Sequence, residues 1–540
     1  MIFLINKIFA HRSVISFLVV MALLLSCVLR VAVISASDYS DKLDKQHQHR
    51  IEISRLRGTI YDCNMVPLTN STSKIVAAVL PTQKGINALR SAASKNALDT
   101  ALKDLKNNIP AICEAEKAID GEGIATATVF DHTPESATAC HIIGYCDNSG
   151  HGVSGIELAY DDFLYSEQKL TAVFAVNGKG EVLKGVEPYF ENDLSVVTGG
   201  VVTTLDINVQ KIADKAAAEL KSGCVVVAEN ATGKIRALSS VPSFEYQNIV
   251  ESLANPKSPL INRALLPFSV GSIFKPCVAA ALIASDKENI THYCDGKLKI
   301  VDRVFRCHEL SGHGKTDLRY ALAQSCNCYF YSAAINLGGE KIRNTATSFS
   351  IGTRLRLGEN IYALGGTLPQ NKDLQSEGAL ANIGIGQGAL TASPVAMLPL
   401  YMAIARDGSY YLPSIIEKTI KNGVVSKYDY GNPTRAMSEE TAKKLRSFLQ
   451  TVISDGTGIE ASPTQITAAG KTATAQTGRF DENGVEITNS WFCGFFPADK
   501  PLYTVIIMNE GEIKVSTASI FAQIADEIAQ LYGINGENND

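Results

Sequence analysis

Ser272 and Lys275 stand three residues apart, just after Gly271 and ahead of the apolar run Cys277–Ala284. Serine suits a helix start and Pro276 a first turn, so the spacing predicts a helix with both side chains on one face. A serine hydroxyl is a weak nucleophile. A lysine held neutral by burial and nearby cations can take its proton, and the amides of a helix start favour the negative charge that develops. Two further segments suit the same acyl-transfer chemistry. Ser325 offers a hydroxyl that relays a proton, and Asn327 an amide that holds a substrate carbonyl or Lys275 itself. Lys471 and Thr472, after Gly470, offer a cation and a hydroxyl to a carboxylate. Each segment alone is a weak signal. Ser71 with Lys74 and Ser166 with Lys169 repeat the first spacing, but neither follows a glycine or opens a long apolar helix, and both read as coincidences.

The elements that must position these residues follow from periodicity. Val201–Asp206 reads as a strand and Val209–Leu220 as a helix. Cys224–Glu229 and Lys234–Ser239 flank a turn at Asn230–Gly233 and read as a hairpin. Residues 260–465 are mostly helical in pattern. The apolar runs Trp491–Phe496 and Tyr503–Met508 are strands, and Ser516–Tyr532 is a helix with Ile520, Ile524, Ile528 and Leu531 on one face. Strands at both ends with helices between predict an α+β fold, one antiparallel sheet covered by helices. Upstream, 83–120 reads as helical, Gly152–Leu164 as a loop that opens a helix, and Thr171–Val176 with Glu181–Gly185 as a hairpin.

With 540 residues, two domains are expected. The chain is 46% apolar and 19% charged, with net charge −5. No basic block is present, which leaves nucleic-acid binding without electrostatic support. Lys7, His11 and Arg12 precede an apolar run, Ser13–Leu29, which resumes after Arg30 through Ala36. That length spans a bilayer if Arg30 snorkels to the headgroups. Basic residues before it and Asp38, Asp41 and Asp44 after it place the short tail inside and the bulk of the chain outside. An uncleaved helix fits better than a cleaved signal peptide near Ala36 or a lipid anchor at Cys27. Eleven of the twelve cysteines lie beyond Cys27, an odd number. Most sit in apolar runs and read as buried thiols. Cys294 and Cys307 are the best candidates for a disulfide. The stretch from Cys294 through Cys307 and His308 to His313 also has a zinc-like look, but matches no compact ligand spacing.

Taken together and in this order, the three segments resemble those of the class B penicillin-binding proteins, the monofunctional peptidoglycan transpeptidases. Arg57–Leu68 is similar to an element of their N-terminal pedestal, with Cys63 and Met65 departing from it. Gly152–Tyr160, Thr204–Gln210, Gly223–Pro242, Gly312–Gly314, Gly384–Pro394 and Asp455–Gly458 also match in order. The resemblance implies a cytoplasmic tail 1–12, a transmembrane helix 13–36, a pedestal domain 37–198, a transpeptidase domain 199–534 and a polar tail 535–540. It implies that Ser272 attacks the D-Ala-D-Ala carbonyl of a stem peptide with Lys275 as base. Ser325 then protonates the departing D-alanine and Asn327 positions the acyl chain. Lys471 and Thr472 bind the carboxylate, and the backbone N–H groups of Ser272 and Thr474 form the oxyanion hole. It further implies covalent binding of β-lactams, a SEDS-type glycan polymerase as partner, and neither metal nor organic cofactor. Ala473 departs from the family's glycine; its added methyl is either absorbed by a small shift or obstructs a peptide pairing with this strand and weakens binding of substrate and β-lactams. On that reading, Ala473→Gly raises the rate of β-lactam acylation. The rival functions are a carboxypeptidase or β-lactamase on the same fold, and a catalytically weak scaffold.

Overall fold

The computed structural model describes residues 2–36, 47–93, 95–134, 136–192 and 199–535. Asp38, Asp41 and Asp44, the residues just before the expected boundary at 199, and most of the polar tail lie outside the described residues. Residues Ile2–Ala36 form one helix, in which His11–Val33 has a mean hydropathy of 2.6 and no buried side chains. At a rise of about 1.5 Å per residue this stretch exceeds the roughly 30 Å of a hydrocarbon core.

The chain divides into two compact units interleaved in sequence. The smaller comprises Met1–Leu56, Ser73–Phe130 and Glu167–Val196, and the larger Arg57–Thr72, Asp131–Ser166 and Val197–Asp540. In the smaller unit the strands Ala111–Ala115, Thr72–Val79 and Ile124–Asp131 form one sheet in that order. The helices Gln83–Ala92 and Lys95–Lys106 bury Leu89, Ala92, Ala101 and Leu105 with Ala77 and Val79 of its central strand. The helical pattern expected to Asp120 therefore stops at Lys106. Asn108 turns the chain with positive φ, Pro110 drives its predecessor toward extended backbone, and Ala111–Ala115 alternates buried and exposed as a strand does. The expected hairpin also changes partner. Thr171–Ala175 lies in the strand Tyr165–Ala175, but this strand pairs with Tyr189–Asn192, and the Asn177–Gly178 turn closes only the bridge between Val176 and Val182.

The larger unit is built on a five-stranded antiparallel sheet, ordered Ile235–Val241, Gly223–Glu229, Tyr503–Glu510, Glu486–Phe496, Ala469–Phe480. The period of two sorts its side chains between two layers. Val225, Val227, Phe492, Val505 and Ile507 pack against the helices Ile207–Ala217 and Thr517–Tyr532, which Asp206 and Ser516 cap. Ile520, Ile524 and Ile528 are buried there as expected, but Leu531, in the last turn before Gly533 ends the helix, is 42% exposed. On the other face Val226, Trp491, Ile506 and Met508 join the main core. The helices Lys275–Ile283 and Pro394–Ala405 in that core are apolar all round and buried throughout.

A second sheet aligns Thr59–Tyr61 parallel to Gly199–Thr203, which pairs in turn with Ile416–Lys421. Beside it Arg57 is almost fully buried. Its Nε donates to Glu157 Oε2 at 2.5 Å, and its other nitrogens to the Glu157 and Gly150 carbonyls, with Asp161 Oδ1 2.8 Å away. His132 Nε2 lies 2.7 Å from Glu157 Oε1. Two of the family-like elements, around Arg57 and Glu157, are thus one ion-pair network.

Candidate active site

Three elements of the larger unit converge where the edge strand Ala469–Phe480 passes the start of the helix Lys275–Ile283. Gly271–Phe274 is a 3-10 turn leading into that helix, with Pro276 in its first turn. Gly271 has φ +60°, and a Cβ there would meet the Ala475 Cβ at 3.0 Å. Only glycine accepts both the left-handed backbone and the close approach of the strand. The turn is fixed from outside: Gly271 N–H donates to the Gly386 carbonyl, Tyr401 Oη to the Ile273 carbonyl, and Trp491 Nε1 to the Ser269 carbonyl, each at 2.9 Å. Ser272 sits half-buried in this turn and Lys275 fully buried one turn on.

Lys275 Nζ donates to three oxygens: the Ser325 carbonyl at 2.6 Å, Asn327 Oδ1 at 2.8 Å and Ser325 Oγ at 3.1 Å. The Phe330 ring lies 5.3 Å away. Burial lowers the Lys275 pKa to about 7, against a smaller upward pull from the thiols of Cys326, Cys307 and Cys328. A neutral amine gives up one of its three donors and presents a lone pair, and a hydroxyl that accepts from it can then donate to it. Ser325 stands between the helices Leu318–Ala323 and Asn327–Leu337, and Asn327 is the first residue of the second. Ser325 has φ +55°, an uncommon backbone for serine, and Cys326 rather than Ser325 occupies the cap position.

Lys471 is also fully buried on the edge strand. Its Nζ donates to the Thr472 carbonyl at 3.2 Å, Thr457 Oγ1 at 3.3 Å and Thr472 Oγ1 at 3.4 Å. Burial, and then the charge of Lys275, pull its pKa well below the ordinary lysine value. All three partners are neutral, so no counter-charge faces this buried lysine, and an incoming carboxylate would favour its charged form. Thr457 Oγ1 lies 2.8 Å from Thr472 Oγ1. Sequence reasoning gave this threonine no role; its signal is the glycine pair around it in Asp455–Gly458, which bends the chain toward the strand. Tyr401 and Trp491, which hold the Ser272 turn, carry no local signal at all.

The fold separates the two coincidental serine–lysine spacings from this one. Lys74 lies on the strand Thr72–Val79, which begins just after Ser71, and Ser166 and Lys169 lie on Tyr165–Ala175. Residues three apart on a strand face opposite sides, so neither pair shares a face as Ser272 and Lys275 do.

Ala473 pairs with Trp491 and is 7% exposed, on the same buried side of the strand as Lys471 and Ala475; Thr474 is exposed on the other. The expected obstruction places the methyl over open substrate space, but it packs into the main core. Ala473→Gly is therefore expected to lower stability by about 0.5–1 kcal/mol and to leave β-lactam acylation within about twofold. Stopped-flow acylation beside a denaturant melt checks both; a large rate increase would restore the obstruction.

Residues 223–530 match the penicillin binding protein transpeptidase domain, more than half of the chain, and the chain belongs to that family. Stage V sporulation protein D of Bacillus subtilis (strain 168) is 28% identical over 414 residues, covering 72% of this chain and 62% of that protein. Peptidoglycan D,D-transpeptidase MrdA of Escherichia coli (strain K12) is 25% identical over 490 residues, covering 77% and 76%. The fold is that of penicillin-binding protein 3 from Mycobacterium tuberculosis, solved with aztreonam, with TM-score 0.65 at 21% identity over 91% of this chain and 98% of that one.

Proposed function

We propose that this chain is a peptidoglycan D,D-transpeptidase that works through an acyl-enzyme on Ser272. The observation that carries the reading is the fully buried Lys275, held by Ser325 and Asn327 one helical turn from Ser272. Lys275 takes the Ser272 proton as the hydroxyl attacks the D-Ala-D-Ala carbonyl of a stem peptide. The N–H groups of Ser272 and Thr474 receive the oxyanion. Ser325 passes a proton from Lys275 to the departing D-alanine, and Asn327 orients the acyl chain. Lys471, Thr472 and Thr457 receive the terminal carboxylate, and Ala473 shapes the floor beneath it. An amine of a second stem peptide then resolves the ester and forms the cross-link. β-Lactams acylate the same serine. The helix Ile2–Ala36 anchors the chain in the bacterial cytoplasmic membrane with its N-terminus inside, and a SEDS-type glycan polymerase is the expected partner.

Labelling the full-length protein with a fluorescent penicillin tests the reading. Ser272→Ala is expected to abolish the covalent label while the melting profile stays near that of the parent. A label that persists on the folded variant overturns the assignment of the nucleophile. With a D-Ala-D-Ala peptide and an acceptor amine, a cross-linked product separates transfer from the hydrolysis that a carboxypeptidase would give.

A further inference from the structure

The loop that carries Ser325 and Asn327 is tied to four residues the mechanism does not use. Cys294, Cys307, His313 and Cys326 bring their ligand atoms within 4.8 Å of one another. His313 Nδ1 lies 3.6 Å from both Cys294 Sγ and Cys307 Sγ. A tetrahedral zinc with Zn–S of about 2.3 Å and Zn–N of about 2.0 Å sets its sulfur and nitrogen ligands roughly 3.5 Å apart. The expected disulfide is absent: Cys294 and Cys307 are both free thiols, turned to one imidazole nitrogen instead of to each other.

We propose that Cys294, Cys307, His313 and Cys326 form a structural site for one divalent zinc-class cation, which holds the Ser325–Asn327 loop in place. The chemistry of the donors selects the metal, since three thiolates and an imidazole in a closed tetrahedral set suit zinc. On loading, three S–H bonds give way to three S–metal bonds and three protons leave to solvent. His313 contributes the Nδ1 lone pair, and no electron changes hands.

Two observations from separate parts of the structure support the site. The first is the excursion 292–316, made of two short ribbons, His292–Cys294 with Gly314–Thr316 and Lys297–Ile300 with Arg303–Arg306. Tyr293, Val301 and Leu310 on it are each at least 67% exposed, and its only buried apolar side chains are Ile300 and two of the ligands. Ribbons with so little core need a staple. The second is the route to Lys275. The Asn327 N–H donates to Cys307 Sγ at 3.3 Å, the kind of bond that steadies a metal thiolate, while the same residue's Oδ1 accepts from Lys275 Nζ. Cys326 lies between Ser325 and Asn327, so a metal at its sulfur would hold the left-handed Ser325 backbone in register. The four residues are positioning residues for the proton-transfer group. The family resemblance implies no metal, and the recurrence C-x12-C-x5-H-x12-C is too open to read as a ligand motif from spacing.

Full-length protein purified in detergent under reducing conditions, without added metal, is expected to carry close to one zinc per chain by elemental analysis. Cobalt exchange is expected to give intense thiolate-to-cobalt charge transfer. Cys326→Ser and His313→Ala should each lose most of the metal, while Cys113→Ser, on the strand Ala111–Ala115 of the smaller unit, should keep it. If the serine and alanine variants fail to fold, the parent's stoichiometry and cobalt spectrum still decide the matter. Less than a tenth of an equivalent of any transition metal in the parent, with no cobalt spectrum, overturns the site; so does metal retained in both Cys326→Ser and His313→Ala. The consequence for catalysis rests on the transpeptidase reading: chelation should slow penicillin labelling at least tenfold, and zinc should restore it. Zinc bound to a protein that never labels would leave the metal site standing and sink the transpeptidase reading, whereas labelling that ignores chelation would sink the positioning role.

Discussion

Exchanging Lys275 for methionine is expected to slow covalent acylation by a β-lactam by about 10²–10⁴-fold, the ordinary share of a general base. Methionine has similar length and no charge, so it fills the buried space beside Phe330 without leaving a cation unpaired. The parent should also show a pH dependence with a definite sign. Burial lowers the Lys275 pKa to about 7, and only the neutral amine accepts a proton. Acylation should therefore rise about tenfold per pH unit at low pH, bend near 7 and level above it, and the methionine variant should lose the bend. Stopped-flow acylation across this range checks both. A flat profile in the parent, or a methionine variant within a few-fold of it, would remove Lys275 from the role of base.

Glu157→Gln is expected to destabilise the larger unit by about 3–5 kcal/mol, the usual effect of breaking a buried ion pair from one side. Glutamine keeps the shape but leaves the buried Arg57 guanidinium with one fewer counter-charge, only Asp161 remaining. His132 holds Oε1 and Cys146 donates its Sγ to Oε2 at 3.3 Å, and the glutamine amide keeps only one of these two acceptors. Burial pushes the Glu157 carboxyl up, but hydrogen bonding and charge from His132 and Arg57 outweigh it and hold the group below its ordinary value. A carboxyl depressed on folding contributes stability above its unfolded pKa and loses it as pH falls through the folded one. The gap between parent and variant should therefore be full at neutral pH and narrow in acid. Denaturant titration, fitted with a separate transition for each unit, measures it. Equal midpoints at pH 7 would mean that the network is not needed for stability.

What was legible in the sequence was local. The Ser272 turn, the strands that frame it and the final helix follow from apolar periodicity and from capping residues such as Asp206 and Ser516. The three motif segments read clearly because each carries its chemistry within four residues. What escaped depends on distant partners. Thr457 acquires its place only because the helix Glu439–Asp455 ends beside the edge strand. Nothing local distinguishes Tyr401 from any other core tyrosine. Ala473 was read as facing substrate, because the spacing of a strand gives its alternation but not which side is covered. The four metal-site residues lie thirteen, six and thirteen residues apart, and only the folding back of two ribbons brings them together. The strand Ala111–Ala115 was hidden in an alanine-rich stretch that suits a helix equally well until Pro110 is weighed.

The parallel pairing of Thr59–Tyr61 with Gly199–Thr203, and of that strand with Ile416–Lys421, has a consequence in time. A growing chain emerges from its first residue onward, so Thr59 is made long before Gly199–Thr203, the strand beside it in the finished sheet. At roughly 5–20 residues per second, the wait for Gly199 is on the order of ten seconds. Until Glu157 and then Gly199 emerge, the buried Arg57 and the short strand beside it have no lasting partner. A shortened form that begins at residue 199 would never acquire them: it would leave one edge of that sheet bare and Glu157's network missing altogether. Any soluble version meant to fold unaided must therefore begin before Arg57, even though every residue of the acyl-transfer site lies more than two hundred positions later.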